Sequence, residues 1–235
     1  MAIDPLPSGE AKRAAVQAMF DRIAPRYDRL NRLFTGGLDQ RWRAASVAAI
    51  DLGPGDRVLD LACGTGDMAE QAGRRGAQVV GADFALAMLH GAARRDPPGA
   101  WVQSDALRLP FGDDSFSALV CGFALRNFAA LAPAFAEMAR VLEPGGRVAL
   151  LEVDRPRARA VRRAHSLYFD RVVPFLGGLL SDRDAYRYLP RSTAYLPDTG
   201  ELLARLAKAG FRELRARHFL LGSAQLLTGV RAGPA

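Results

Sequence analysis

Apolar and polar positions come in alternating blocks along this chain, and the apolar blocks are of two kinds. Short runs such as RVLDLACG (57–64), AQVVGADF (77–84), AWVQSDA (100–106), FSALVCGFA (116–124) and GRVALLEV (146–153) are almost continuously apolar. Such runs read as strands covered on both faces, as in a parallel sheet. Between them, 66–75, 86–95 and 130–142 are compatible with helices, and the last runs into Glu143-Pro144-Gly145-Gly146, where a helix stops and turns into the next strand. The alternation predicts an α/β fold: one doubly wound, seven-stranded, mostly parallel sheet with helices on both faces. The expected layout is a single domain with an N-terminal helical cover (11–50), a core (51–153), a helical lid insertion (154–197), and a closing helix with the last strands (198–235).

Polar residues that interrupt this pattern carry the candidate chemistry. Gly64, Thr65 and Gly66 follow the first strand directly and open a helix. Glycines there allow a tight turn and let backbone N–H groups approach a ligand. Asp60 lies near the end of the first strand, Asp83 ends the second, and Asp105 ends the third. A carboxylate after the second strand can accept from the two ribose hydroxyls of an adenosine. That much suits NAD as well as S-adenosylmethionine. Against NAD, position 69 is Ala69 where the dinucleotide fingerprint favours glycine, and Asp60 and Asp67 flank the loop, unwelcome beside a pyrophosphate. Three strand-end carboxylates around a glycine loop describe a site for a cationic adenosine. The competing reading is that all three cap helices and turns.

The apolar stretch SALVCGFALRNFAAL (117–131) breaks at Arg126 and Asn127. An unpaired guanidinium is costly to bury. The pair is therefore expected at the carboxyl edge of the sheet, facing a ligand, or else in a staple to a carboxylate such as Asp83 or Glu152.

Composition narrows the class. Of 235 residues, 49% are hydrophobic and 24% charged, which suits a soluble globular domain, and no apolar run approaches a membrane span. The N-terminus lacks the apolar stretch of a signal peptide, so a cytoplasmic protein is expected. Cys63 and Cys121 form no disulfide framework and have no histidine at metal-ligand spacing, so no metal is expected. In the presumed topology the two cysteines lie close together and stay reduced. The net charge of +7 is almost all arginine, densest at Arg155, Arg157, Arg159, Arg162 and Arg163. No nucleic-acid signature accompanies it. The cluster reads as a solvated face, with contact to an anionic membrane or substrate as the alternatives. His90 and His218 read as surface or packing residues.

The glycine loop, Asp83 and Asp105 resemble the motifs of class I S-adenosylmethionine-dependent methyltransferases, which are Rossmann-like. A more specific resemblance is to the ubiquinone/menaquinone biosynthesis C-methyltransferase family. FDRIAPRYDRLNRLFTGGLDQRWR (20–43) is similar to its N-terminal signature, with Tyr27, Asp28, Asn31 and Trp42 at matching spacing. FALRN (123–127), RVLEPGGRVALLEVDRP (140–156) and DAYRYLPRSTAYLPDTGELLARLAKAGF (184–211) resemble later segments in order. Ala62 and Ala124 replace usual glycines, Gly122 a usual serine, and Glu143 a usual lysine.

The resemblance implies C-methylation of a demethylated menaquinol or ubiquinol. A tailoring methyltransferase for a soluble phenolic, and a cofactor-binding protein without catalysis, are the alternatives. Asp60, Gly64, Thr65, Gly66, Asp83, Phe84, Asp105, Ala106 and Gly122 are the candidate S-adenosylmethionine set. Arg126 and Asn127 are the candidate catalytic pair, with Arg126 stabilising an ionising ring hydroxyl. His165, Tyr168 and Tyr188, from the aromatic-rich insertion, are candidates for contact with a lipid-tailed substrate. Peripheral contact with an anionic membrane face and pairing into a homodimer stay open.

Overall fold

The computed structural model describes residues 8–95, 99–156 and 182–233, with a few positions among 162–175. Three helices come first: α1 (Gly9–Ile23), α2 (Tyr27–Thr35) and α3 (Leu38–Ala48). In α1, Lys12, Val16, Met19, Phe20 and Ile23 recur at helical spacing and form its buried face. Helix α2 ends at Gly36 and Gly37, both at positive φ (59° and 78°), a conformation that glycine adopts without penalty.

The core alternates as expected: β1 (Arg57–Leu61), α4 (Asp67–Gly73), β2 (Gln78–Asp83), α5 (Leu86–Arg95), β3 (Ala100–Gln103), β4 (Phe116–Gly122), α6 (Leu131–Val141) and β5 (Leu142–Val153). Then come α7 (Arg183–Ser192), α8 (Thr199–Lys208), β6 (Phe211–Phe219) and β7 (Ala224–Arg231). The seven strands lie in the order β3-β2-β1-β4-β5-β7-β6; β1 to β5 are parallel, and β7 runs antiparallel to both its neighbours.

Most strands are a few residues shorter than the sequence reading, and two boundaries differ in kind. Strand β3 stops at Gln103, which leaves Asp105 in the following turn, bridged to Arg108. Strand β5 begins at Leu142, paired with Phe116, before the Pro-Gly turn. The register then jumps to Ala118 opposite Arg147, so residues 143–146 bulge out of the ladder rather than precede it.

Alternation along β1 and β4 sorts the core into two layers. Leu59, Leu61, Leu119 and Cys121 face a cluster with Phe135 and Met138 of α6 and Leu202 and Leu206 of α8. Val58, Ala118 and Val120 face Val47 of α3 and Met68, Ala69 and Ala72 of α4. A third cluster joins α1 and α2 to Ala85 and Met88 at α5. Leu61 is opposite Cys121 in the β1–β4 ladder, and Cys63 lies just beyond it; both thiols are free and buried. No described helix is long and apolar enough to cross a membrane.

Candidate active site

The carboxyl ends of β1, β2 and β4 converge where the strand order reverses, and ligands bind at such points in open α/β sheets. A cleft with about 710 Å³ of open space, part of it continuous with solvent, lies there. Gly64 lines it at φ 55°, and its N–H donates to Asp83 Oδ2 at 2.8 Å. Asp83 Oδ1 accepts from Ala85 N at 2.9 Å. Each carboxylate oxygen thus keeps lone pairs for a ligand. Burial pushes Asp83 up to about 6, against the backbone N–H bonds that favour its charged form. Phe84, Asp105, Ala106, Gly122 and Asn127 line the same cleft.

Asp60, Thr65 and Gly66 turn elsewhere. Asp60 shares a strand face with Val58, so its carboxylate points into the α3–α4 layer and accepts from Ala69 N at 2.8 Å. Burial raises it to about 7, opposed chiefly by nearby Arg43. Thr65 donates to Asp28 Oδ1 at 2.6 Å, and its carbonyl accepts from Arg95 at 2.9 Å. Gly66, at φ 85°, is the N-cap of α4. These three build the loop from behind. Asp67 is also turned away from the cleft: Arg32 (3.0 Å), Arg95 (2.8 Å) and Gln40 (2.9 Å) converge on it, and its pKa is lowered despite burial. It ties the helical cover to the core.

The cover contributes residues for which the sequence reading had no role. Arg13 of α1 pairs with Asp105 at 2.8 Å, and Phe20 and Tyr27 line the cleft beside them. Lys12, buried on the same helix, donates to Phe128 O at 2.7 Å and lies 3.6 Å from the Tyr195 ring centre. Burial lowers it to about 8. The helical spacing of Lys12, Arg13 and Phe20 was the available signal, but spacing alone does not say that a helix lies across a cleft.

A second cavity, with about 950 Å³ of open space, backs onto the first. Tyr27 and Phe123 line both and form the shared wall. Phe123 holds φ 61°, an uncommon conformation for a bulky residue, and its N–H donates to Leu151 O at 2.6 Å. The second cavity is walled by Phe34, Leu38, Trp42 and Leu220, with Asp39, Arg43 and Arg126 among its few charged groups. Tyr168 lines it and donates to Phe34 O at 2.7 Å. Tyr188 donates to Asn127 Oδ1 at 3.2 Å, and burial pushes its phenol well up. His165 lies outside the described residues.

Arg126 stands in the staple rather than free toward the first cleft. Its Nη1 bonds Glu152 Oε1 and, at 2.7 Å, Phe123 O; its Nε reaches Ser192 Oγ at 3.2 Å. Its backbone N–H donates to the other Glu152 oxygen at 3.2 Å. Glu152 is fully buried at the end of β5, so the guanidinium is held by the one group that most needs it. Among the described residues, no group of His, Cys, Asp and Glu could hold a metal ion.

Residues 8–231 match the model of the ubiE/COQ5 methyltransferase family. The chain belongs to this family. It is 46% identical over 221 residues to a demethylmenaquinone methyltransferase of Thermus thermophilus, covering 91% of this chain and 100% of that one. It is 40% identical over 231 residues to a ubiquinone/menaquinone biosynthesis C-methyltransferase of Geobacter sulfurreducens, covering 94% and 90%. A solved SAM-dependent methyltransferase of Thermotoga maritima superposes with a TM-score of 0.65 at 19% identity, over 92% and 99% of the two chains. The protein is a methyltransferase with the Rossmann-like class I fold.

Proposed function

We propose that this methyltransferase moves a methyl group from S-adenosylmethionine to a ring carbon of a demethylated menaquinol or ubiquinol. The observation that carries the reading is the pair of cavities with a common wall of Tyr27 and Phe123. One is ended by carboxylates, the other walled by aromatic and aliphatic side chains. The names of the relatives support the same reaction.

The donor set fits the cofactor. Asp83 would hold the ribose hydroxyls, and Asp105 with Ala106 the adenine edge. Gly64 lets the chain pass close, and Gly122 and Phe123 would flank the reacting end. Bound there, the cofactor supplies a methyl on a positively charged sulfur that leaves as a neutral thioether. The chain's task is then to make a ring carbon nucleophilic and to exclude water. The apolar second cavity serves the latter, and Asn127, held by Tyr188, orients polar groups at the wall. The ring must be in its hydroquinone form, since an ionised hydroxyl is what activates the carbon beside it.

A lipid tail would leave the cavity past Leu220, which is 55% exposed and followed by Leu221 at 75%. Two leucines so exposed at a cavity mouth suit an apolar tail or an anionic bilayer, and Arg162 and Arg163, a few residues before the cavity-lining Tyr168, are exposed as well. Arg157 and Arg159 of that cluster lie outside the described residues.

Mass spectrometry of lipid quinones from a strain lacking this protein tests the proposal. Accumulation of a quinone lighter by one methyl group, reversed by the intact gene, is expected. An unchanged quinone pool would refute it and point to a soluble phenolic acceptor.

A further inference from the structure

We propose that Arg43, rather than Arg126, is the cation that receives the ionised ring hydroxyl of the acceptor. This rests on the second cavity being the acceptor site. Arg43, on α3, lines that cavity and is 6% exposed. No hydrogen bond from its guanidinium is found among the described residues, and its buried Nε makes none. Among the described residues its one ion pair, from that Nε to Asp67, is long at 3.7 Å, and that carboxylate is already served by Arg32 and Arg95. The guanidinium lies over the Phe123 ring, 5.2 Å from its centre, at the wall between the cavities. A Cβ on Gly122 would come within 2.8 Å of its Nη1, so the glycine makes room for it there.

A buried cation with unused donors, facing an apolar cavity, is costly unless a ligand completes it. Arg126 differs, because Glu152 neutralises it in place. The chemistry balances without a further reagent. The hydroxyl proton leaves to water, and Arg43 holds the oxyanion. The ring carbon beside it bonds to the methyl as the carbon–sulfur bond breaks toward sulfur. The ring proton then leaves to water as the ring regains its aromaticity, and the regenerated oxyanion takes one proton back from water, so one C–H becomes one C–CH3 and one proton is released overall.

The test uses 1-naphthol, a redox-stable single-hydroxyl ring, whose ionisation is read by absorbance when it is bound to the full-length protein. Wild type should lower its apparent pKa by ~1–3 units, the usual effect of an adjacent cation. Arg43→Gln should abolish that shift. It should also lower kcat by ~100- to 1000-fold while leaving cofactor affinity within a few-fold. Among the described residues, Tyr27 of α2, Asp60 of β1, Asp67 of α4 and Cys121 of β4 interact electrostatically with Arg43, and Asp39 of its own helix and Arg126 line the same cavity. Of these, Asp60 titrates near 7, so the naphthol absorbance is a cleaner reading than a rate profile. Arg43→Lys keeps the charge and the pairing with Asp67, and it serves where Arg43→Gln does not fold. It should give a bound pKa between that of wild type and that in water. Wild-type ionisation of bound naphthol in either variant would overturn the assignment and leave Arg43 as a counter-ion to Asp67. Failure of wild type to bind naphthol would overturn both the assignment and the reading of the cavity beneath it.

Discussion

Asp83→Ala should weaken S-adenosylmethionine binding by ~2–4 kcal/mol, roughly 30- to 1000-fold in Kd. The lost group is a buried carboxylate positioned by Gly64 and Ala85 N–H donors, with lone pairs left over for two hydroxyls. Its protonation gives the prediction a second arm. Burial has raised Asp83 to about 6, and only the ionised form accepts from both hydroxyls. Wild-type affinity should therefore be level above pH ~7 and fall as the pH drops through ~6. Asp83→Ala should lack that fall. Asp60 remains in the variant and titrates near 7, so any residual slope centred there belongs to Asp60. Calorimetric titration between pH 5 and 8 reads both arms. Equal affinities for the two proteins at pH 7.5 would remove Asp83 from the site.

Arg126→Met should destabilise the fold by about 3–5 kcal/mol, because it strands a carboxylate at the centre of the sheet. Glu152 is fully buried, and among the described residues its partners apart from the guanidinium are the N–H groups of Arg126 and Val153. Removing one partner of a buried pair costs far more than removing both. The double variant Arg126→Met, Glu152→Gln should therefore recover most of the loss and stand within ~1–2 kcal/mol of wild type. Urea unfolding of the four proteins in the cycle measures the coupling. A single variant as stable as wild type, or a double variant no better than the single, would mean that the staple contributes little. The cycle also bears on catalysis: with the fold restored, any remaining deficit in kcat comes from the face of Arg126 that lines the second cavity.

The sheet was legible because each central strand is apolar on both faces, and such runs are hard to mistake for loops. The glycine loop and Asp83 were legible for a related reason: they stand at strand ends, where sheet topology alone determines what they face. The roles of Asp60 and Asp67 were not. Asp60 is one residue from Leu61 and on the opposite face, so a carboxylate at a strand end can point away from the ligand edge. Asp67 meets three arginines from α2, α3 and α5, contacts between elements far apart in sequence. Arg126 read correctly as a residue needing a partner. Choosing between a ligand and Glu152 required knowing that β5 lies beside β4 and turns Glu152 toward it. Arg43 closes the signature-like segment 20–43, but nothing there marked it as a site residue, since an arginine beside Arg41 on a helix looks like solvated charge until burial is known.

The most direct test of methyl transfer between the two cavities supplies purified protein with S-adenosylmethionine carrying a 13C-labelled methyl group and a chemically reduced demethylmenaquinol. NMR of the extracted quinone then locates the label. A methyl on ring carbon, beside the position of the activating oxygen and dependent on prior reduction of the ring, is the predicted result. Label on oxygen, equal transfer to the oxidised quinone, or no transfer to the ring by a folded, cofactor-binding protein would contradict it.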